Sequence, residues 1–246
     1  MTDPTDSTPP TLGTPDWWAA SREDTDAAHR SGRGRPPLPL DEILTEALSL
    51  LAEHGLDGLG IRALARRLGS STSTLYRQLP GGKDELCTRL AEHVMTEIVT
   101  GIAASGLDDE WSATIEQSAV VSFDVLRRHP YAASLFAGQV QFGPMGLLRY
   151  ELSLRLLLAA GFSPTDAAAA DHALARLIVG YALQSPREES PSRATLAEYY
   201  RRLDAAEYPS IATAIPALPE DLRAEFVFAL QTFVAGLRRR ATEIHR

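Results

Sequence analysis

IRALARRLGSSTSTLYRQLPGGK, Ile61 to Lys83, is the stretch whose reading decides the fold. Ile61, Leu64, Ala65 and Leu68 recur at helical spacing, and Leu75 and Leu79 repeat four residues apart beyond them. Gly69 ends the first run, Ser70 and Ser71 offer oxygens to cap the second, and Pro80-Gly81-Gly82 stops it. The spacing predicts two short helices, about Ile61 to Leu68 and Ser71 to Leu79, joined by a tight turn. The formal charges of the stretch are Arg62, Arg66, Arg67, Arg77 and Lys83, with no acid among them. The whole chain of 246 residues nevertheless carries a net charge of -8. A basic island in an acidic chain points to a confined surface for a polyanion, most simply duplex DNA.

A helix that reads DNA needs short polar side chains and donors on one face and apolar anchors on the other. Leu75 and Leu79 supply the anchors. Thr72, Ser73, Tyr76 and Arg77, at i, i+1, i+4 and i+5, form one exposed face, with Ser71 and Thr74 adding hydroxyls. Thr72 and Ser73 are small enough to let the helix start approach base edges. Arg77 suits a guanine edge or a phosphate, and Tyr76 and Gln78 suit phosphate or the groove edge. Lys83, opening the next helix, is placed for a backbone phosphate, and Arg62 for the groove edge. The competing reading is an ordinary solvated amphipathic helix pair.

Working outward, Leu40, Ile43, Leu44, Ala47, Leu48 and Leu51 make a continuous helical stripe that ends at Gly55. Downstream, helices are expected at about Lys83 to Ala104, Trp111 to Arg128, Tyr131 to Ala137, Met145 to Ala160, Thr165 to Gln184, Ala194 to Glu207 and Glu220 to Ile244. Ser185 to Ser192 reads as a polar loop and Tyr208 to Pro219 as a proline-broken connection. No stretch alternates with period two, so the fold class is all-α, with about ten helices. Residues 1–35 are rich in Pro, Thr, Asp and Ser and read as a flexible tail or arm. Trp17 and Trp18 are the exception, able to anchor a short helical turn, either docked on the body of the protein or exposed. The expected division is this tail, a helix-turn-helix domain over 36–98 and a larger helical domain over 99–246.

With 44% hydrophobic residues the chain can bury a sizeable core. One cysteine, Cys87, excludes an intrachain disulfide and a zinc-finger ligand set. No segment approaches the roughly 20 uninterrupted apolar residues of a membrane span, and the start has no secretory pattern, so a cytoplasmic location without membrane association is expected. The histidines form no i, i+4 pair, and no metal or cofactor is expected. Gly81-Gly82-Lys83-Asp84 lacks the Ser/Thr and upstream glycine of a phosphate loop. With no nucleophile motif either, an enzyme is the disfavoured class.

The run GLDGLGIRALARRLGSSTSTLYRQLPGGKDEL resembles the DNA-binding domain of the tetracycline repressor family. Its carriers are Leu68-Gly69, Thr74-Leu75-Tyr76 and Lys83, and the similarity spans about Pro37 to Ile98. Pro80-Gly81-Gly82 departs from the more polar linker of many members, which puts the phosphate clamp there in doubt. Weaker similarity to the ligand-binding and dimerising domain runs through Gly161-Phe162-Ser163, Gly180 and Gly236-Leu237. The resemblance implies an Ω-shaped homodimer, with two helices per subunit forming a four-helix bundle, and a repressor released by a small molecule. It sets Phe123 on a pocket aromatic of those repressors. It also sets Ala137 and Gln184 where their drug–magnesium site has a histidine and a glutamate, so tetracycline–magnesium is not the expected effector.

Three further expectations follow. Gly32-Arg33-Gly34-Arg35-Pro36 resembles the core of an AT-hook, and Arg33 and Arg35 suit a narrow minor groove. The last helix carries Leu222, Phe226, Leu230, Phe233 and Leu237 on one stripe and Val227 and Val234 on another, and the helix around Leu174 to Leu183 is apolar nearly all round. Helices buried on two sides need a second partner, which a homodimer on a palindromic operator supplies, although a larger monomer core does too. Candidate ligand-lining residues are Trp111, Gln117, Phe123, Phe136, Gln139, Phe142, Met145, Arg149, Tyr150, His172, Arg176, Tyr181 and Gln184, which suit a mid-sized aromatic or amphiphilic effector. An activator and an effector-independent interaction hub are the remaining alternatives.

Overall fold

The short apolar runs between capping and stop signals become helices in the computed structural model, which describes residues 10–21, 38–106, 110–137, 143–184, 193–214 and 221–244. Among these residues every regular element is helical. A short helix, α1, covers residues 15–21. It is followed by α2 (Leu40–Gly58), α3 (Ile61–Arg67), α4 (Thr72–Gln78), α5 (Gly82–Ala104) and α6 (Trp111–Arg128). A 3-10 helix, Ala132–Leu135, precedes α7 (Pro144–Ala159), α8 (Pro164–Leu183), α9 (Arg193–Arg201), α10 (Pro209–Ala214) and α11 (Leu222–Ile244).

The α2 stripe buries Ile43, Leu44, Ala47, Leu48, Leu50 and Leu51. Gly55 breaks it with φ 65°, a left-handed conformation that glycine adopts without a Cβ clash, so the helix turns there before a last short stretch. Against this stripe pack α3 and the first part of α5. Leu64 of α3, Leu75 of α4 and Leu86 and Leu90 of α5 are fully buried in the shared core. Each such leucine contributes roughly 1.5–3 kcal/mol of burial free energy.

The second half is a layered bundle. α6 packs on α5, α8 and α11, and α7 packs on α5 and α8. At its centre Phe123 and Phe226 stack with ring centroids 4.2 Å apart, and Tyr181 meets Phe226 edge-on at 5.6 Å. α5 belongs to both halves and is the mechanical link between them.

Four expectations are corrected. The tail is not featureless over residues 10–21, where Trp18 is buried and α1 lies on the body of the protein. The Tyr131 to Ala137 helix contracts to a 3-10 helix because Tyr131 itself takes φ 65°. The Tyr208 to Pro219 connection contains α10, since Pro209 at the start of a helix needs no amide partner. α9 stops at Arg201 instead of running to Glu207. The polar loop at 185–192 lies outside the described residues.

Candidate nucleic-acid interface

Position in the α3–α4 pair is set by backbone chemistry at the turn. Gly69 takes φ 58°, the Ser70 amide donates to the Ala65 carbonyl at 2.9 Å, and the Gly69 amide donates to the Arg66 carbonyl at 3.3 Å. This pair of bonds is the Schellman closure, which turns the chain sharply after α3. Ser71 then caps α4, its Oγ accepting from the Thr74 amide at 3.1 Å. The same hydroxyl lies 2.9 Å from Ser73 Oγ and 2.8 Å from Thr74 Oγ1. Arg77 donates to Thr74 Oγ1 at 3.4 Å. The start of α4 is thus a linked set of hydroxyls on a short, capped helix.

Below that face Leu75 and Leu79 are both fully buried. Above it Ser71, Thr72, Ser73, Tyr76 and Arg77 are exposed, Tyr76 at 51%, and Thr74 is half-buried. Gly82, with φ 61°, begins α5, and a Cβ there would sit 3.4 Å from Tyr76 Cε1. The glycine therefore leaves room for the tyrosine ring beside the helix start. Arg62 and Arg66 are exposed on α3.

Two of the predicted contacts are already engaged within the chain. Gln78 accepts from the Leu38 amide at 3.3 Å and donates to the Leu38 carbonyl at 2.8 Å, so it anchors the segment entering α2 instead of presenting its amide outward. Lys83 Nζ donates to the Leu56 carbonyl at 2.6 Å, tying α5 to the end of α2 and leaving two ammonium protons for another acceptor. Arg67 is also occupied, pairing with Glu46 at 2.8 Å and Glu53 at 2.7 Å and donating to Ser49 at 3.0 Å. The hydrogen bonds to Glu53 and Glu46 push its pKa up. The cationic surface thus narrows to Arg62, Arg66, Arg77 and part of Lys83. Arg33 and Arg35 lie outside the described residues.

The candidate ligand-lining residues separate into groups. Trp111 walls a cleft of about 550 Å³ with Ala159, Ala160, Arg238, Ala241 and Thr242, and meets Phe162 edge-on at 5.5 Å. Phe123 and Tyr181 belong to the aromatic cluster around Phe226, a residue of the last-helix stripe that is absent from the candidate lining. Arg149 forms a two-pronged bond to the buried Asp171 at 2.8 and 3.0 Å, and Tyr150 stacks on His172 at 5.7 Å. Other polar members serve the backbone. Gln117 donates to the Ser105 carbonyl at 2.9 Å and Arg176 to the His172 carbonyl at 3.4 Å, while at the apolar Met145 it is the main-chain amide that donates to the Glu92 carboxylate at 2.6 Å. Phe136 is half-buried, and Gln184 is exposed at the end of α8. Gln139 and Phe142 lie outside the described residues. Asp171, invisible as a partner in the sequence, is 22 residues from Arg149, and helix pairing alone brings them together.

Comparison with known proteins gives concordant findings for both halves. Residues 43–90 match the model of the bacterial regulatory proteins of the tetR family, and residues 105–241 match that of the tetracyclin repressor-like C-terminal domain. An HTH-type transcriptional regulator of Saccharopolyspora erythraea is 30% identical over 212 residues, covering 85% of this chain and 88% of the relative. The HTH-type transcriptional repressor DrrR1 of Streptomyces coeruleorubidus is 29% identical over 228 residues, covering 86% and 82%. Among solved structures, ActR of Streptomyces coelicolor without ligand superposes with a TM-score of 0.73 at 25% identity, covering 85% of this chain and 99% of that one. ActR has also been solved in complex with actinorhodin, superposing at 0.69 with 25% identity over 83% of this chain and 99% of ActR. Among the described residues no helix is long and apolar enough to cross a membrane.

Proposed function

The chain belongs to the tetracycline repressor family of bacterial transcriptional regulators, and from that premise we propose that it is a homodimeric repressor released from a palindromic operator by a small molecule. The observation that carries the DNA-reading part is the α4 face. Its anchors Leu75 and Leu79 are fully buried while Ser71, Thr72, Ser73, Tyr76 and Arg77 stand exposed on a capped helix start. Thr72, Ser73, Tyr76 and Arg77 meet base edges or adjacent phosphates in the major groove. Arg62 and Lys83 hold the flanking backbone. The division follows the same logic: a DNA-reading domain over 36–98 and a sensing and dimerising domain over 99–246.

Dimerisation is supported by surface that this chain does not cover. Phe228 on α11 is 71% exposed and Leu183 at the end of α8 is 46% exposed. A Cβ added at Gly180 or Gly236 meets nothing within 4 Å, so both helices offer bare backbone to a neighbour. A two-fold pairing through α8 and α11 would place two α4 helices for successive major grooves.

The effector is a mid-sized aromatic or amphiphilic molecule, in keeping with the aromatic cluster of Phe123, Tyr181 and Phe226 and the placed polar pair of Arg149 and Asp171. The ActR complex with actinorhodin supports a small-molecule ligand for a chain of this architecture, and the name of DrrR1 supports repression over activation. Effector binding moves α5, which spans both halves. A shift from mostly bound to mostly released operator needs a preference for the released state on the order of 5 kcal/mol.

The test is binding to DNA from upstream of the chain's own gene under a salt titration. A steep salt slope with sequence preference, lost in the Tyr76→Ala, Arg77→Ala double variant, is expected. Failure to select any sequence from a random duplex library would overturn the reading.

A further inference from the structure

The only aliphatic or aromatic anchors that residues 10–21 offer beyond alanine are Leu12, Trp17 and Trp18, and all three meet the body of the protein or one another. Trp17 and Trp18 pack edge-on with centroids 4.8 Å apart. The Arg89 guanidinium of α5 lies 5.0 Å from the Trp17 ring centroid and 5.9 Å from that of Trp18, in the geometry of a cation held on aromatic faces. Trp18 is only 8% exposed. Leu12 Cδ1 lies 3.6 Å from where a side chain at Gly81 would begin, and Thr88 Cγ2 lies 3.5 Å from the same point at Gly13.

These contacts converge on one lever. Arg89 is held by Glu85 at 2.8 Å, and Glu85, 2% exposed, accepts from the Gly81 amide at 2.9 Å. Gly81 is the turn between α4 and α5. The segment therefore grips, through Arg89 and Glu85, the turn that carries the DNA-reading helix. It also lines a cavity that the second half borders. Leu12 and Trp18 share a cavity of about 500 Å³ with Leu56 from the end of α2 and with Leu135 and Gly143 from the second half. On that side of the cavity Glu92 of α5 accepts from the Met145 amide at 2.6 Å, tying α5 to the start of α7.

We propose that residues 10–21 are an intramolecular strap that pins the α4–α5 turn and the base of α5, and so fixes the reading helix relative to the sensing half. The inference rests on the reader–sensor division proposed above. A strap of this kind lowers the freedom the reader must lose on binding DNA. It also makes any effector-driven movement of α5 work against the tryptophan contacts. Because the anchors lie outside the hydrophobic core of α2–α5, they can be removed without opening that core.

The full-length chain is compared with the Trp17→Ala, Trp18→Ala double variant by amide hydrogen exchange without DNA. Exchange about tenfold faster from Leu86 to Glu92 and over Ala132–Leu135 is expected in the variant, with circular dichroism unchanged. The Trp17→Phe, Trp18→Phe variant keeps aromatic faces for Arg89 and is expected to restore most of the protection. On a selected operator the alanine variant is expected to bind several-fold more weakly, with the salt slope preserved. Unchanged exchange in the alanine variant overturns the strap, and raised exchange with unchanged operator affinity overturns its hold on the reader. If the full-length chain selects no operator, the proposed function fails, while the exchange comparison still decides whether the strap exists.

Discussion

Arginine count alone overstates the DNA-facing charge of the α3–α4 pair, because Arg67 is bound to Glu46, Glu53 and Ser49 while Arg77 is exposed beside Thr74. Arg77→Ala is therefore expected to weaken operator binding by about 1–3 kcal/mol and to relax preference at one base pair, read by anisotropy on single-substitution duplexes. Arg67→Ala is expected to leave the salt slope unchanged. At the helix start, Ser71→Ala removes the oxygen that receives the Thr74 amide and is expected to destabilise the fold by about 1 kcal/mol in urea unfolding. Tyr76, Arg77 and the capping serine were all legible from residue type and spacing. The internal engagement of Gln78 and Arg67 was not, since their partners Leu38, Glu46 and Glu53 are distant in sequence and meet them only after α2 has packed.

Individual helices were legible where cap, stripe and stop agreed. α6 occupies Trp111–Arg128 as expected, and the Glu110 carboxylate caps it, accepting from the Ser112 amide at 3.1 Å and the Ala113 amide at 2.8 Å. Its hydrogen bond from the Ser112 hydroxyl, followed by those from the two amides and the nearby Arg238 charge, holds the Glu110 pKa below the ordinary carboxylate value. A carboxylate with a depressed folded-state pKa adds stability above its unfolded pKa and loses it as pH falls through the folded one. The α6 cap is thus expected to weaken as pH falls below the ordinary carboxylate range. Thermal unfolding from pH 7 down to pH 3 tests this, with Glu110→Gln expected to flatten part of the loss. In α4, Leu75→Ala is expected to destabilise the fold by about 2–5 kcal/mol, while Thr72→Ala on the exposed face stays within about 0.5 kcal/mol. Helices were missed where a short element depends on tertiary contact. α10 begins on Pro209, which reads locally as a break, whereas α1 is the short turn that Trp17 and Trp18 can anchor, seated against Arg89 because it has too few residues to be stable alone.

At the scale of the molecule, α8 and α11 leave Leu183, Phe228 and the open backbone at Gly180 and Gly236 uncovered. Phe228→Glu is expected to shift sedimentation from dimer to monomer and to weaken operator binding, because a charge would have to be buried at the proposed interface. A dimer that persists in this variant would place the interface elsewhere. The sequence by itself determined an all-α chain, the helix-turn-helix with its buried leucines and exposed polar face, and the family resemblance. Those properties are carried by local spacing, capping oxygens and obligatory glycines, which act over a few residues. Only the tertiary structure decided which cations remain outward, that Arg149 faces Asp171, that Phe226 stacks on Phe123, and that Trp18 is buried beside Arg89 of α5. Each of these depends on two distant segments being brought together, because desolvation and hydrogen-bond geometry are properties of the packed interface and not of either segment alone.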